Sequence, residues 1–494
     1  MSNPQKLWRP DAGTGKYRNP ILYADFSDPD AVRVGDDYFM TASSFSNAPG
    51  LPVLHSRDLT HWRLVNYALP ALPGERFERP CHGAGVWAPA IRYHAGKFWI
   101  FFPMPDEGIF MTQADDPRGA WSEPVCVKAA KGWIDPCPFW DDDGSAYLVN
   151  AFAKSRSGVK SKLCLTRMRP DGTALEGESR IIFDGTDTQP TIEGPKLYKR
   201  DGYYYIFAPA GGVPHGWQTA LRAKNIFGPY EQKIVMMRGE SDVNGPHQGA
   251  LVDGADGKEW FLHFQDAGVC GRIVHLQPVC WKDGWPVIGR EHDGEGWGEP
   301  VAEYETPAGG MPPCEEDERR FGLPGLDWQW NANGRAEWLT LGERMFELHA
   351  QPRADALCDQ PALLLHRFEA PAFEARVRLE TLEGGATAGM IALGRRYGAL
   401  ALHGENAAAE VSLICGEIGG REEARPLGHV DVRGGADIAL LFDGTQCRFR
   451  LETADGTLTP EPFPASAGVW TGEKYGVFAL GGKGGARFSL PEEK

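Results

Sequence analysis

The sequence predicts an all-β chain: a five-bladed β-propeller followed by a β-sandwich. Three observations predict it. Five segments share one pattern, in which a polar or aromatic residue beside Pro or Gly opens a short strand, a Gly turn follows, and an aromatic-rich strand returns. The opening residues, Asp28, Trp87, Asp135, Glu193 and His247, lie 59, 48, 58 and 54 positions apart, and a period of that order with hairpins inside it belongs to propeller blades. Beyond residue 320 the pattern changes to alternating strands with no convergent acids, which suits a sandwich.

The elements follow in order. Residues 1–17 are polar and Gly-rich and read as an N-terminal arm, and the propeller fills 18–305. Its hairpins pair Asp28–Gly35 with Tyr38–Thr41, Trp87–Gly96 with Phe98–Phe101, Asp135–Gly144 with Ala146–Val149, Glu193–Gly202 with Tyr204–Phe207, and His247–Gly254 with Trp260–His263. Gly and Asp at the turns supply the left-handed backbone that tight hairpins need. Residues 306–320 carry Pro307, Gly309, Gly310, Pro312 and Pro313, then Glu315-Glu316-Asp317-Glu318, and read as a linker. The sandwich takes 321–494, with Phe373–Glu380 alternating strictly and Ala388–Leu393 and Cys447–Glu452 less cleanly.

Composition bounds the function. The 494 residues carry a net charge of −16, which argues against nucleic acid and anionic membrane as partners. No apolar run is long enough to span a bilayer. The first ten residues lack an apolar core of the kind that opens a secretory signal, and ten scattered cysteines form no CxxC pair. The expected location is cytoplasmic, with reduced thiols. Homo-oligomer formation is left open.

Blade inner strands start near the propeller axis, so residues at matched repeat positions converge there. The set is three carboxylates, an indole and an imidazole. Like charges raise one another's pKa, so three facing acids are costly unless chemistry uses them. A single Asp-Pro is ordinarily a turn, a lone His is ordinarily a satisfied interior residue, and Trp87 reads equally as core or as a platform for a sugar face. Trp140, Trp217, Trp281 and Trp285 read as core, and Asp141-Asp142-Asp143 as a solvated turn. Glycosidic hydrolysis needs two carboxyl groups in different protonation states. Asp28, in a polar loop, suits the base. Glu193, after the apolar approach Pro190-Thr191-Ile192, suits the acid, with Asp135 as the neighbouring anion that raises its pKa.

The motifs resemble glycoside hydrolase family 43. They are Asn19-Pro20-Ile21-Leu22 through Asp28-Pro29-Asp30, His55-Ser56-Arg57-Asp58-Leu59-Thr60-His61-Trp62, Val86-Trp87-Ala88-Pro89, Trp133-Ile134-Asp135-Pro136, Thr191-Ile192-Glu193-Gly194-Pro195 and Gly271-Arg272. The part with Trp328-Gln329-Trp330-Asn331 resembles, more loosely, the concanavalin A-like sandwich of the family's β-xylosidases. The resemblance implies an inverting O-glycosyl hydrolase with Asp28 as base, Glu193 as acid and Asp135 as modulator and orienter. Phe45 and Trp87 would wall the innermost subsite, Arg272 would reach the sugar, and His247 would lie on the axis, near a structural calcium in several members. No cofactor is required.

Two departures stand out. Ser27-Asp28-Pro29-Asp30 replaces the usual Pro-Asp-Pro-Ser and puts a second acid at Asp30. Ile273-Val274-His275 replaces the usual Glu-Thr after the arginine and leaves the outer pocket, and with it the substrate preference, undecided. The expected activity is exo-release of a terminal pentose from short xylo-oligosaccharides, β-D-xylose first and α-L-arabinofuranose second. A non-catalytic carbohydrate-binding propeller is the rival. The short linker requires the sandwich to dock close by, and one of its loops is expected to close the active-site rim.

Overall fold

The computed structural model describes residues 8–13, 15–309, 324–405 and 408–490. Five antiparallel four-stranded sheets follow one another along the chain. Their inner strands are Asp30–Val34, Ala90–His94, Trp133–Trp140, Lys196–Arg200 and His247–Asp253, and we number the blades 1 to 5 in that order. Blade 4 is extended at its outer edge by Gly298–Glu299 and Arg290–Glu291. Each predicted return strand is the second strand of its blade.

Alternation along the second strands explains the ring. Side chains of successive residues point to opposite faces of a sheet, and here the two faces serve two neighbours. In blade 2, Phe98 and Ile100 pack with Phe39 and Val53 of blade 1, whereas Trp99 and Phe101 pack with Leu148 and Met168 of blade 3. In blade 4, Ile206 joins Val149 and Leu163 of blade 3, and Phe207 joins Phe261 of blade 5. Tyr38 and Met40 of blade 1 meet Trp260 and Leu262 of blade 5 and close the circle. Five apolar cores, one per blade junction, hold the propeller.

The stretch read as an arm is tied down. Lys16–Arg18 pairs with Glu303–Glu305, and Tyr17 is buried with its hydroxyl donating to Leu276 O at 2.8 Å. Residues 310–323, which hold most of the expected linker, lie outside the described residues. The sandwich packs a seven-stranded sheet on an eight-stranded one. The predicted strands lie within Phe373–Leu382, Thr387–Leu393 and Gln446–Thr453, and one large apolar core fills the space between the sheets.

Trp140, Trp217, Trp281 and Trp285 are only half-buried: they pack on blade junctions. Trp140 Nε1 donates to Pro170 O and Trp217 Nε1 to Gln189 Oε1, at 2.8 and 2.7 Å; an indole N–H needs a partner, which draws the ring to the edge of a core. The Asp141–Asp143 turn does more than face solvent, because Asp141 also accepts from Lys199 and Tyr204 and clips blade 3 to blade 4. No helix among the described residues is long and apolar enough to cross a membrane.

The domains are docked through specific bonds. Trp330 N donates to Ala48 O at 2.6 Å, Asn333 bonds both backbone groups of Leu72, and Lys474 Nζ donates to Asn47 Oδ1 at 2.9 Å. Cys270 and Ile273 of the propeller belong to the main apolar core of the sandwich.

Candidate active site

Asp28 and Asp135 both have left-handed backbone, with φ of 56° and 55°. Aspartate tolerates that region better than most residues, and the twist turns each carboxylate out of the strand run. Asp28 is buried. Its Oδ2 accepts from Ser27 Oγ at 2.8 Å and Ser43 Oγ at 2.6 Å. Arg272 Nη1 reaches both its oxygens at 3.3 Å and Ser27 Oγ at 2.6 Å. Neither serine was singled out in the sequence, which offers no period for them.

Glu193 and Asp135 face each other at the junction of blades 3 and 4. Asp135 Oδ2 accepts from Gly194 N at 2.8 Å. Burial, reinforced by the Glu193 charge, pushes the Asp135 carboxyl up to about 8. Asp135 is the more deeply buried of the two. The Glu193 side chain keeps 26 % of its surface accessible, which leaves it open to a ligand. His247 is buried, and its Nε2 bonds Glu193 Oε1 at 3.0 Å. The Nε2–H tautomer donates to a carboxylate there.

Asp30 has a different task from Asp28. It is wholly buried and accepts from Arg92 Nη1 at 2.6 Å and Ile91 N at 2.8 Å, so it clamps blade 1 to blade 2. Nearby, Lys196 is also wholly buried; its Nζ donates to Pro89 O at 3.0 Å, and its charge acts on Asp135. The segment after Arg272 is buried. His275 is buried and stacks on His263 at 5.1 Å, and Ile273 packs on the sandwich.

The calcium implied by resemblance finds a poor match. Calcium takes six to eight oxygen ligands. His247 Nδ1 is buried and without a hydrogen-bond partner, but the neighbouring unpartnered atom is Gln248 Nε2, a donor. Among the described residues the single trio of His, Cys, Asp or Glu side chains within metal reach is His82, Cys358 and Asp359, at the domain seam. The residues around His247 do not fit calcium.

Phe45 and Trp87 are linked through the paired backbones of Phe45 and Val86. Phe45 is buried and lines a cavity of about 30 Å³ shared with His82, Val469 and Lys474. Trp87 Nε1 donates to Gly83 O at 3.0 Å, Arg156 lies over its ring at 5.2 Å, and Trp470 of the sandwich meets it edge-on at 6.3 Å. Trp470 is half exposed. The loop that carries it therefore reaches Trp87 of the propeller.

Acids from three blades thus lie beside an arginine and a histidine. The sequence pattern of glycosyl hydrolases family 43 covers residues 17–286, more than half of the chain. The chain belongs to that family. The pattern of the β-xylosidase C-terminal concanavalin A-like domain covers residues 322–489. A provisionally named β-xylosidase of Xylanibacter ruminicola is 44% identical over 346 residues, which is 67% of this chain and 63% of that protein. A β-xylosidase of Formosa agariphila is 33% identical over 367 residues, 68% of this chain and 61% of that one. The chain thus spans less than two thirds of the length of these relatives. A non-reducing end α-L-arabinofuranosidase of Bacteroides ovatus is 32% identical over 308 residues, 58% of this chain and 56% of that one. The crystal structure of a xylan β-1,4-xylosidase from Bacillus halodurans superposes with a TM-score of 0.81 at 25% identity, covering 96% of this chain and 99% of that one.

Proposed function

We propose that this family 43 chain is an inverting exo-glycosidase that releases a terminal β-D-xylose from short xylo-oligosaccharides. The observation that carries the proposal is the meeting of Asp28, Asp135 and Glu193 from three blades. Each is held by different partners, and only Glu193 is partly open. A carbohydrate-binding propeller has no need for a buried carboxyl pushed up to about 8.

In this reading Asp28 is the base. Its carboxylate accepts from two serines and an arginine, and it takes a proton from the attacking water. Glu193 is the acid, which protonates the leaving oxygen while His247 holds its other oxygen. The two act on opposite faces of the sugar, with room for the water between them. The Glu193 charge acts on the raised Asp135 carboxyl, so the alkaline limb of the rate profile belongs to the pair. Arg272 bonds both Asp28 and the incoming sugar, Phe45 and Trp87 wall the subsite, and Trp470 narrows the rim so that one terminal sugar enters.

A second reading, α-L-arabinofuranosidase, is favoured by the Bacteroides ovatus relative of that name. Nitrophenyl β-xyloside and α-arabinofuranoside assayed side by side separate the two. Proton NMR of the first-formed sugar tests the mechanism, since a product that keeps the substrate's anomeric configuration excludes inversion. The partner is an oligosaccharide. A cytoplasmic location is part of the proposal, and the nine described cysteines are free thiols, as in a reducing compartment.

A further inference from the structure

Asp25 stands three residues before Asp28 and is buried. Its two oxygens take two backbone N–H groups from two domains: Oδ1 accepts from Arg272 N at 3.0 Å, and Oδ2 accepts from Gly472 N at 2.9 Å. Gly472 belongs to the loop that presents Trp470. Two buried cations of the sandwich, Arg367 and Lys474, lie in the field of Asp25. The contact is tight. A Cβ on Gly271, whose φ is 74°, would sit 2.6 Å from both Asp25 Cγ and Gly472 N. Only glycines let the loop and the propeller cross this closely.

The bonds form a continuous path. Gly472 is held by Asp25, Asp25 holds the backbone of Arg272, and the Arg272 guanidinium holds Asp28. Phe26 N also donates to Arg272 O at 3.1 Å, so the chain between Asp25 and Asp28 follows the arginine on both sides. A carboxylate suits the crossing because both its oxygens accept; an amide offers one acceptor and one donor.

We propose that Asp25 is a positioning residue which couples the docked sandwich loop to the Arg272–Asp28 pair, so that the sandwich governs the chemical step as well as entry of the substrate. This rests on the glycosidase reading above. Asp25→Asn keeps the shape of the side chain and loses one of the two bonds. With nitrophenyl β-xyloside, kcat is expected to fall about tenfold or more with KM within about threefold, because a small misplacement of a reacting group is costly in rate. Hydrogen exchange followed by mass spectrometry is expected to speed up in two peptides, 268–276 and 466–474. Lys474→Met leaves both bonds of Asp25 in place and is expected to lower Tm while kcat stays within about twofold.

If Asp25→Asn does not fold, Gly472→Ala opens the same bond from the sandwich side, since its Cβ would sit 2.8 Å from Gly271 N. It is expected to reproduce the kcat loss. A kcat within about twofold of the parent in whichever variant folds overturns the coupling. So does faster exchange confined to 466–474, or an equal kcat loss in Lys474→Met. If the parent has no glycosidase activity, the functional reading fails by itself, and the exchange pattern still decides whether Arg272 responds to Asp25.

Discussion

Non-glycine residues with left-handed backbone include some at the propeller axis and one in the sandwich, and the two places hold them in opposite ways. Asp28, Asp135 and Gln248 carry positive φ within or beside the candidate catalytic set and are buried. Hydrogen bonds and charges fix the two aspartates. Trp470 is the single such residue among the described sandwich residues, and it is half exposed. Such backbone costs about 1–3 kcal/mol per residue and persists where the surroundings over-determine it. The axis is over-determined by five blade junctions. The Trp470 loop is held by Asp25 below and by Glu473, whose Oε2 accepts from Ser466 N at 2.9 Å. In the proposed reaction rigid placement would serve bond breaking, and a tethered loop would serve admission and release of a sugar.

The sharpest test of this contrast is at the axis. Asp28→Ala is expected to lose about 10²–10⁴ in kcat/KM on every substrate, because water activation does not depend on the leaving group. Glu193→Ala is expected to lose a similar factor on xylobiose and much less on a nitrophenyl glycoside, whose leaving group needs little protonation. Equal losses of Glu193→Ala on both substrates would remove it as the acid.

Asp135→Asn comes next. Its rate loss is expected to be about 10²-fold, and the informative readout is the pH profile. Without the second carboxyl the site no longer holds its extra proton up to about 8, so the alkaline limb is expected to move to lower pH. A limb that stays in place while the rate falls would make Asp135 an orienting residue alone.

At the rim the expected effects are smaller and of another kind. Trp470→Ala removes an exposed ring that touches Trp87, so KM for xylobiose is expected to rise about tenfold with kcat within about threefold. A fall in kcat with unchanged KM would mean that the ring acts on the transition state, and the contrast between axis and rim would dissolve.

These two regions also differ in how far the sequence discloses them. Asp28, Asp135, Glu193 and His247 were legible because a propeller converts position within a repeat into position on the axis. The blades were legible for the same reason: alternation in strands such as Tyr204–Phe207 directs one face to each neighbouring blade. Asp25 and Gly472 touch across 447 residues, between two domains that share no period, and nothing local marks either. Asp28 and Asp30 could be separated in the sequence only by their relation to Pro29; in space the φ of 56° at Asp28 sends the two carboxylates to different tasks. Ile273-Val274-His275 left the substrate preference undecided in the sequence, because the surface that buries Ile273 belongs to the other domain.

The smallest expected effect concerns the base of the rim loop. Glu473 is buried, its Oε1 has no hydrogen-bond partner, and burial pushes its carboxyl up to about 8. Cys270 and Cys447 face it, and both thiols are raised as well, so they remain neutral around it at neutral pH. An acid whose folded pKa is raised holds its proton in the native state while the unfolded chain has released it. Stability is therefore full below the unfolded value and falls as pH rises toward 8. Glu473→Gln keeps an acceptor for Ser466 N and cannot ionise. Between pH 6 and pH 9 its Tm is expected to fall a few degrees less than that of the parent, with exchange in 466–474 slower than in the parent at pH 9. Asp135 is raised to about the same value and contributes equally to both proteins, so the comparison isolates Glu473. If the two proteins lose the same Tm over that interval, the charge on Glu473 does not load the loop, and Asp25 alone would tie the rim to the axis.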